Sequence, residues 1–262
     1  MIDMTKKILV IKLGALGDFV QAAGPFAAIR QHHQDAEITL LTASAFAEFA
    51  GTSPWFDKIE IDNRPSALQF GGWLALRSWL RAQNFPRVYD LQTSDRSGFY
   101  YQLFWPSSKP DWSGIAPGCS HPHSNARRDF MHTIERQQEQ LSMAGIAGVE
   151  TGDFSWVTAD IGRFGLTENF ALILAGGAVH RPGKRWAGEK YQAVAKHLAA
   201  HQIQPIFLGG EEERSLLTGL SAEVPGSMSL AGETTISELF ALAREAKLAI
   251  GNDTGPMHVA AA

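Results

Sequence analysis

Short apolar runs of strand type recur along the chain, and segments of helical or loop character separate them. In the first half the runs cover residues 8–13, 38–42, 58–61 and 88–91, and in the second half residues 170–174, 205–208, 228–230 and 248–250. Because strands that alternate with helices form parallel βαβ units, this order predicts an α/β protein. The two series predict two successive α/β halves.

Composition limits the class of protein. The chain has 262 residues, 45% of them hydrophobic, so it can bury a large core. A formal net charge of −4 argues against a general nucleic-acid binder, whose surface would be basic. Cys119 is the only cysteine, so no intrachain disulfide forms and a reducing cytoplasm is the expected compartment. The apolar stretch near the start is too short for a signal peptide or a membrane span.

Several segments between the strands have a predicted form. The pair Gly24-Pro25 should kink or restart the helix that follows the first strand. Residues 71–85 place apolar side chains at helical spacing, which favours packing against the sheet over ligand stacking. These side chains are Trp73, Leu74, Leu76, Trp79 and Leu80. Residues 106–125 predict a long surface loop, and residues 126–144 predict a helix.

The second half starts after a hinge predicted at residues 145–168. Its helices are predicted at residues 189–200, 211–220 and 237–246. The entrance of the helix at residues 237–246 contains Thr235 and Glu238, which have the spacing of a capping box.

A glycine-containing turn follows the first strand, with Gly14 and Gly17 before Asp18. Glycines let the backbone pass close to a ligand, and Asp18 lies at the helix entrance. Its simplest alternative role is a helix cap. The spacing differs from the dinucleotide fingerprint, and no acidic residue closes a second strand at the expected distance. A nicotinamide cofactor, and with it an oxidoreductase, is therefore disfavoured.

A second turn of this kind closes the sequence. A strand end at Gly251 precedes a polar turn and a helix that starts near Pro256. The amides of Met257 and His258 would then point out of the helix end, an arrangement that favours binding of a phosphate group. The alternative is that Asp253, Thr254 or Gly255 only caps the helix.

Basic and metal-binding residue types between the halves carry weaker signals. Arg127 and Arg128 could meet an anionic acceptor, although a solvated helix face also explains them. Cys119, His121 and His123 match no metal site with a fourth ligand, so we expect no metal.

Four segments together resemble glycosyltransferase family 9, the lipopolysaccharide heptosyltransferases. They cover residues 14–18 (GALGD), 90–92 (DLQ), 184–186 (KRW) and 251–258 (GNDTGPMH). The resemblance implies the GT-B architecture, in which two Rossmann-like domains face each other across a cleft. It also implies inverting transfer of heptose from ADP-heptose, the donor substrate, to the lipid A inner core, without a metal or another cofactor.

The resemblance assigns roles to residues. Asp18 becomes the catalytic base, Lys184 the phosphate-binding lysine, and Asp253 the acid facing the donor sugar. Thr254, Gly255 and His258 would hold the pyrophosphate. Glu211 would lie near the adenosine ribose, although an acidic first turn that complements a helix dipole explains it equally well.

We therefore expect an acceptor-side domain at residues 1–160 and a nucleotide-sugar-binding domain at residues 161–262. Family members continue beyond this point, so the second domain should be incomplete and its last strand partly uncovered. The partners would be a nucleotide sugar and a lipid-linked oligosaccharide acceptor, with no nucleic acid. The expected location is cytoplasmic, with peripheral contact at the inner face of the membrane. Alternatives are a nucleotide-sugar-binding protein without catalysis, or a related transferase with another donor or acceptor.

Overall fold

The structure, a computed structural model, describes residues 6–177, 183 and 185–262. The chain divides into two compact units, Met1–Asp153 and Phe154–Ala262. The sequence placed this division after residue 160. No helix in the described part combines the length and the apolar character that a membrane span requires.

The first unit is built on a parallel sheet. Its strands are β1 (Lys7–Ile11), β2 (Glu37–Thr42), β3 (Lys58–Ile61), β4 (Arg87–Asp90), β5 (Asp111–Gly114) and β6 (His121–Pro122). The spatial order is β3-β2-β1-β4-β5-β6, and all neighbouring strands run parallel. The direction of strand addition reverses between β1 and β4. In sheets of this kind, ligands bind outside the carboxyl ends of the strands at such a reversal.

Helices connect these strands. They are α1 (Leu16–Gln21), α2 (Ala23–His32), α3 (Ser44–Gly51), α4 (Phe70–Gln83), α5 (Asp95–Tyr100) and α6 (Thr133–Met143). The predicted restart near Gly24-Pro25 is confirmed, because α1 ends and α2 begins around Ala22. Pro25 then lies in the first turn of α2, where its missing N–H breaks no helical hydrogen bond.

The predicted core role of α4 is largely confirmed. Leu80 is buried in a cluster with Leu9, Ile11 and other sheet residues, and Trp73, Leu76 and Trp79 pack against that cluster. Leu74 is the exception, because it is exposed.

The prediction of a long surface loop at residues 106–125 was wrong. This segment supplies β5 and β6, and Trp112 within it is fully buried. Cys119 and His123 are buried as well. A four-residue strand with one large apolar side chain has too weak a pattern to be recognised locally. Pairing with β4 stabilises it instead.

The second unit has a smaller parallel sheet. Its strands are β7 (Phe170–Leu174), β8 (Gln204–Phe207), β9 (Met228–Ser229) and β10 (Leu248–Gly251), in the order β10-β7-β8-β9. Its helices are α7 (Gly188–Ala200), α8 (Arg214–Ala222), α9 (Ile236–Glu245) and α10 (Gly255–Ala260). Central strand β7 is buried throughout, whereas edge strand β10 is partly exposed. The capping box of α9 is confirmed, since Thr235 and Glu238 bond each other's backbone N–H groups.

Two helix boundaries differ from the sequence prediction. The helix expected at residues 126–144 begins at Thr133, and a short 3₁₀ turn, Arg128–Phe130, precedes it. The helix expected at residues 211–220 begins at Arg214, after a 3₁₀ turn at Glu211–Glu213. Charged residues at helix entrances favour several turn types, so these boundaries are poorly fixed by local sequence.

Candidate functional site

In the first unit, the loop after β1 occupies the edge where strand order reverses. Gly14 has a φ of +126°, a conformation that disfavours a side chain, and an added Cβ would lie 2.9 Å from the Phe46 ring. Arg64 donates a hydrogen bond to the carbonyl of the neighbouring Leu13. Glycine is therefore required at position 14 for both backbone and steric reasons.

Asp18 lies in the first turn of α1 and is half-buried. The N-cap of this helix is Ala15, with no side-chain capping bond. The alternative role of Asp18 as the N-cap is therefore wrong. Gly17, beside it in the helix, is buried.

The turn after β4 is fastened to the turn after β1. Gln92 Oε1 accepts a hydrogen bond from the Leu13 amide at 2.8 Å. Asp90 Oδ1 in turn accepts from the amides of Gln92 and Thr93, at 3.1 and 3.0 Å. Asp90 is completely buried, and burial raises the pKa of its carboxyl to about 6. Residues 90–92, one of the four segments that carry the family resemblance, therefore fix the position of the Gly14 loop.

A buried lysine lies at this same edge. Lys12 is 3% exposed, and its Nζ donates to the Leu91 carbonyl at 3.1 Å. Burial lowers the pKa of Lys12 to about 8, while the negative charges of Asp18 and Asp90 oppose that decrease. Arg136, on α6, adds to the decrease through charge repulsion. Neither Lys12 nor Arg136 was predicted from the sequence as a site residue.

The two predicted acceptor arginines have different surroundings. Arg127 is exposed, and Arg128 is partly buried. Arg128 Nη1 pairs with Asp129 at 2.9 Å, whereas its buried Nη2 has no hydrogen-bond partner. Burial lowers the pKa of the Arg128 guanidinium. Of the two arginines, Arg128 is therefore the one that has a buried N–H donor without a partner.

In the second unit, a cavity of about 420 Å³ lies at the carboxyl ends of β7, β8 and β10. Strand order reverses between β7 and β10, so this cavity also lies at a reversal. Glu211, Asp253, Thr254 and Gly255, which the sequence predicted as donor-binding residues, all line it. Lys184 lies outside the described residues.

Asn252 holds the wall of this cavity together. Its Oδ1 accepts from the Trp186 amide at 3.0 Å and from the Tyr191 hydroxyl at 2.8 Å. Its Nδ2 donates to the carbonyls of Ala175 and Gly176, at 3.0 and 2.8 Å. Asn252 is buried and therefore satisfies its hydrogen-bonding groups within the protein.

The run of three glutamates resolves into two different roles. Glu213 accepts hydrogen bonds from the amides of Gly177 and Gly210, at 2.5 and 3.0 Å, and so joins the turns after β7 and β8. Glu211 is exposed and pairs with Arg214 at 2.5 Å, and hydrogen bonding from Arg214 lowers the pKa of Glu211. The structural role of Glu213 was not predicted from the sequence.

The entrance of α10 differs from the prediction in one respect. The amides of Met257 and His258 both donate to the Thr254 carbonyl, at 3.0 and 3.2 Å, so the prediction that they point out of the helix was wrong. Thr254 is the N-cap, and its side chain makes no capping bond. His258 Nε2 lies 3.4 Å from Asp253 Oδ1, which places this predicted residue beside the cavity wall.

Across the described part of the chain, no group of three or more His, Cys, Asp or Glu side chains is arranged to hold a metal ion. His123 bonds Glu139 at 2.9 Å instead.

Comparison with known proteins adds a family match. The sequence profile described as Glycosyltransferase family 9 (heptosyltransferase) matches residues 73–262. Lipopolysaccharide heptosyltransferase 2 of Escherichia coli K12 is 24% identical over 281 residues, covering 98% of this chain and 80% of that protein.

Solved structures share the fold. A family 9 glycosyl transferase from Veillonella parvula superposes with a TM-score of 0.82 at 19% identity, covering 97% of this chain and 77% of that chain. The E. coli heptosyltransferase WaaC with ADP-2-deoxy-2-fluoro heptose gives 0.72 at 18% identity, covering 97% and 85%. These similarities confirm the predicted α/β fold class.

Proposed function

Because the chain belongs to glycosyltransferase family 9 (heptosyltransferase), we propose that it transfers heptose from ADP-heptose to the inner core of lipid A. We propose further that the reaction inverts the anomeric centre and needs neither a metal nor another cofactor. The observation that carries the proposal is the half-buried Asp18 at the strand-order reversal of the first sheet, on a loop fixed by Gly14 and Gln92.

In this mechanism Asp18 is the general base. Its carboxylate accepts the proton of an acceptor hydroxyl as that oxygen attacks the anomeric carbon of the heptose. The new C–O bond forms while the bond to the ADP oxygen breaks, and ADP leaves with the electron pair. Lys12 supports this role, because its buried side chain places a positive charge close enough to the Asp18 carboxylate for the two charges to interact.

The cavity of the second unit is proposed to hold ADP. Its volume, about 420 Å³, is within the usual range for small-molecule sites. Thr254, Gly255 and His258 would contact the diphosphate, Asp253 the sugar, and Glu211 the ribose hydroxyls. Lys184, by the family resemblance, would stabilise the charge that develops on the leaving diphosphate.

The first unit is proposed to bind the acceptor. We expect this acceptor to be anionic, because Arg128 offers a guanidinium with an unpaired buried Nη2. Arg127 offers an exposed second cation. Because the acceptor is lipid-linked, we propose that the protein works in the cytoplasm, at the inner face of the cytoplasmic membrane.

Two measurements test the proposal. In a thermal-shift comparison of ADP-, UDP-, GDP- and CMP-sugars, ADP-heptose should stabilise the protein by roughly 2.7 kcal/mol at about 100 times its dissociation constant. In a transfer assay, ADP release should depend on the lipid A acceptor. Binding of ADP-heptose without transfer would favour a nucleotide-sugar-binding protein. Stabilisation by another nucleotide sugar alone would replace the proposed donor.

A further inference from the structure

Helix α4 has two apolar faces, and the core covers only one of them. Trp73, Leu76 and Leu80 face the sheet at helical spacing. Phe70 and Leu74, at i and i+4, lie on another face and are 71% and 62% exposed. Leu68, just before the helix, is 84% exposed. A single exposed apolar residue needs no explanation, but two on one face of a helix with a third just before that helix do.

Arginines continue this exposed face along the helix. Arg77 and Arg81 follow Phe70 at i+7 and i+11, positions that fall on the same side of an α-helix. Residues 63–89 contain four arginines and no acidic residue, although the whole chain has a net charge of −4. Two of these four, Arg77 and Arg81, lie beside the exposed apolar side chains, whereas Arg64 bonds the Leu13 carbonyl and Arg87 pairs with Asp111.

The segment after α5 extends this surface with an exposed tryptophan. Arg77 Nη2 donates to the Trp105 carbonyl at 2.7 Å, and Arg81 Nη2 donates to Ser107 Oγ at 2.9 Å. The Trp105 side chain is 69% exposed. Each guanidinium has five N–H donors, so both retain donors for an external anion. We call this surface the α4 face: Leu68, Phe70, Leu74, Arg77, Arg81 and Trp105.

We propose that the α4 face is a docking surface for an anionic lipid bilayer. Apolar and aromatic tips insert among lipid headgroups, while arginines beside them bind lipid phosphates. Charge complementarity favours this partner, because the face carries cations without any acidic side chain of its own. The remaining exposed positions of α4 include Gly71, Gly72 and Ala75. Because these residues are small, the surface has no broad apolar centre of the kind found in an ordinary protein–protein interface.

The proposal deepens the proposed function and rests on it only for its purpose, which is to bring the enzyme to a lipid-linked acceptor. Vesicle binding itself requires neither donor nor acceptor. The experiment is therefore co-sedimentation of the protein with phosphatidylcholine vesicles, with and without phosphatidylglycerol, at low and high salt. We expect binding that requires phosphatidylglycerol and weakens as salt screens the charges.

Three double variants separate the contributions. Arg77→Gln/Arg81→Gln should weaken binding about 25-fold, since each cation near an anionic surface contributes about fivefold. Phe70→Ser/Leu74→Ser should weaken it by about tenfold or more. The matched control Lys196→Gln/Leu216→Ser removes an exposed cation and an exposed leucine from the second unit, and should bind like wild type. Thermal melts check that each variant is folded.

Several outcomes would overturn the proposal. They are absence of vesicle binding, equal weakening by the control, and a change of oligomeric state in the α4 variants without vesicle binding, which would indicate a protein partner. Transfer to a soluble, deacylated acceptor separates the two proposals. The α4 variants should retain that activity. A wild-type protein that binds vesicles as described but transfers to no acceptor would refute the proposed function and leave the docking surface standing.

Discussion

The hydroxyl of Tyr191 donates a 2.8 Å hydrogen bond to Oδ1 of Asn252, which lies directly after the last strand of the second sheet. Tyr191 belongs to α7, so this bond ties a helix to the turn that carries Asp253 and Thr254. On the other side of the asparagine, Nδ2 donates to the carbonyls of Ala175 and Gly176. The proposed donor cavity is therefore held by one side chain that accepts on one side and donates on the other.

Asn252→Asp should destabilise the protein more than its similar shape suggests. A carboxylate can still accept from Tyr191, but it faces two carbonyl oxygens with no proton to donate. We expect a loss of about 2 to 4 kcal/mol in the free energy of unfolding, measured by urea denaturation. Tyr191→Phe, which removes one hydrogen bond, should cost about 1 kcal/mol. Equal stability of Asn252→Asp and wild type would contradict the hydrogen-bond assignment.

Asp18→Asn should lower turnover by about 10² to 10⁴ while donor affinity stays nearly unchanged, because only the proton acceptor is lost. Steady-state kinetics and donor titration measure the two quantities. Asp95→Asn is the matched control, since it also removes a carboxylate from the first turn of a helix in the first unit. Near-normal turnover in Asp18→Asn would remove Asp18 from the mechanism.

Lys184→Ala should weaken the binding of ADP and ADP-heptose by roughly 10- to 150-fold, through loss of a charge-assisted hydrogen bond worth about 1.5 to 3 kcal/mol. Adenosine has no phosphate and should bind variant and wild type equally. Isothermal titration with the three ligands checks this, and Lys196→Ala, at an exposed position of α7, serves as the control. Equal weakening of adenosine would indicate a damaged fold.

Asp90→Asn should change how stability depends on pH. Burial raises the pKa of Asp90 from 3.8 to about 6 in the folded protein, so folding favours the protonated form. As pH rises from about 4 to about 6, the carboxyl of Asp90 loses its proton in the unfolded chain before it does so in the folded protein. The free energy of unfolding of wild type therefore falls by up to about 3 kcal/mol across this range, whereas that of the variant, which has no carboxyl at this position, does not. Urea denaturation across this pH range should show that the variant becomes more stable relative to wild type as pH rises. Parallel pH profiles would refute the assignment.

Local sequence predicted most of the strands because buried parallel strands form continuous apolar runs. Strands β5 and β6 were missed since they are short and polar, and pairing with β4 rather than composition forms them. The boundaries of α6 and α8 were misplaced for a related reason. Charged residues at their entrances allow a 3₁₀ turn, and only the folded chain selects it.

The residues of the candidate sites also differ in whether local sequence could predict their roles. Gly14 and Asp18 could be located from the strand, the glycines and the helix that surround them in sequence. The hydrogen-bonding roles of Gln92, Glu213 and Asn252 could not be predicted, because each bonds at least one residue that is distant along the chain, although Gln92 and Asn252 lie in segments that carry the family resemblance. Asn252 bonds Ala175, which is 77 residues away, and Gln92 bonds Leu13, which is 79 residues away. Roles of this kind depend on tertiary contact and leave no local pattern.

The exposure of Trp105 gives the protein an optical reporter at the α4 face. Indole fluorescence shifts to shorter wavelength when the ring leaves water, and the Trp112 ring, fully buried in the first unit, has no such change to make. Emission from Trp105 should therefore respond to the solvent around that surface, and it adds to the emission of the six other tryptophans of the chain. Replacing Trp105 with phenylalanine would identify its share of the signal, so contact of this surface with another phase can be followed in real time without a chemical label.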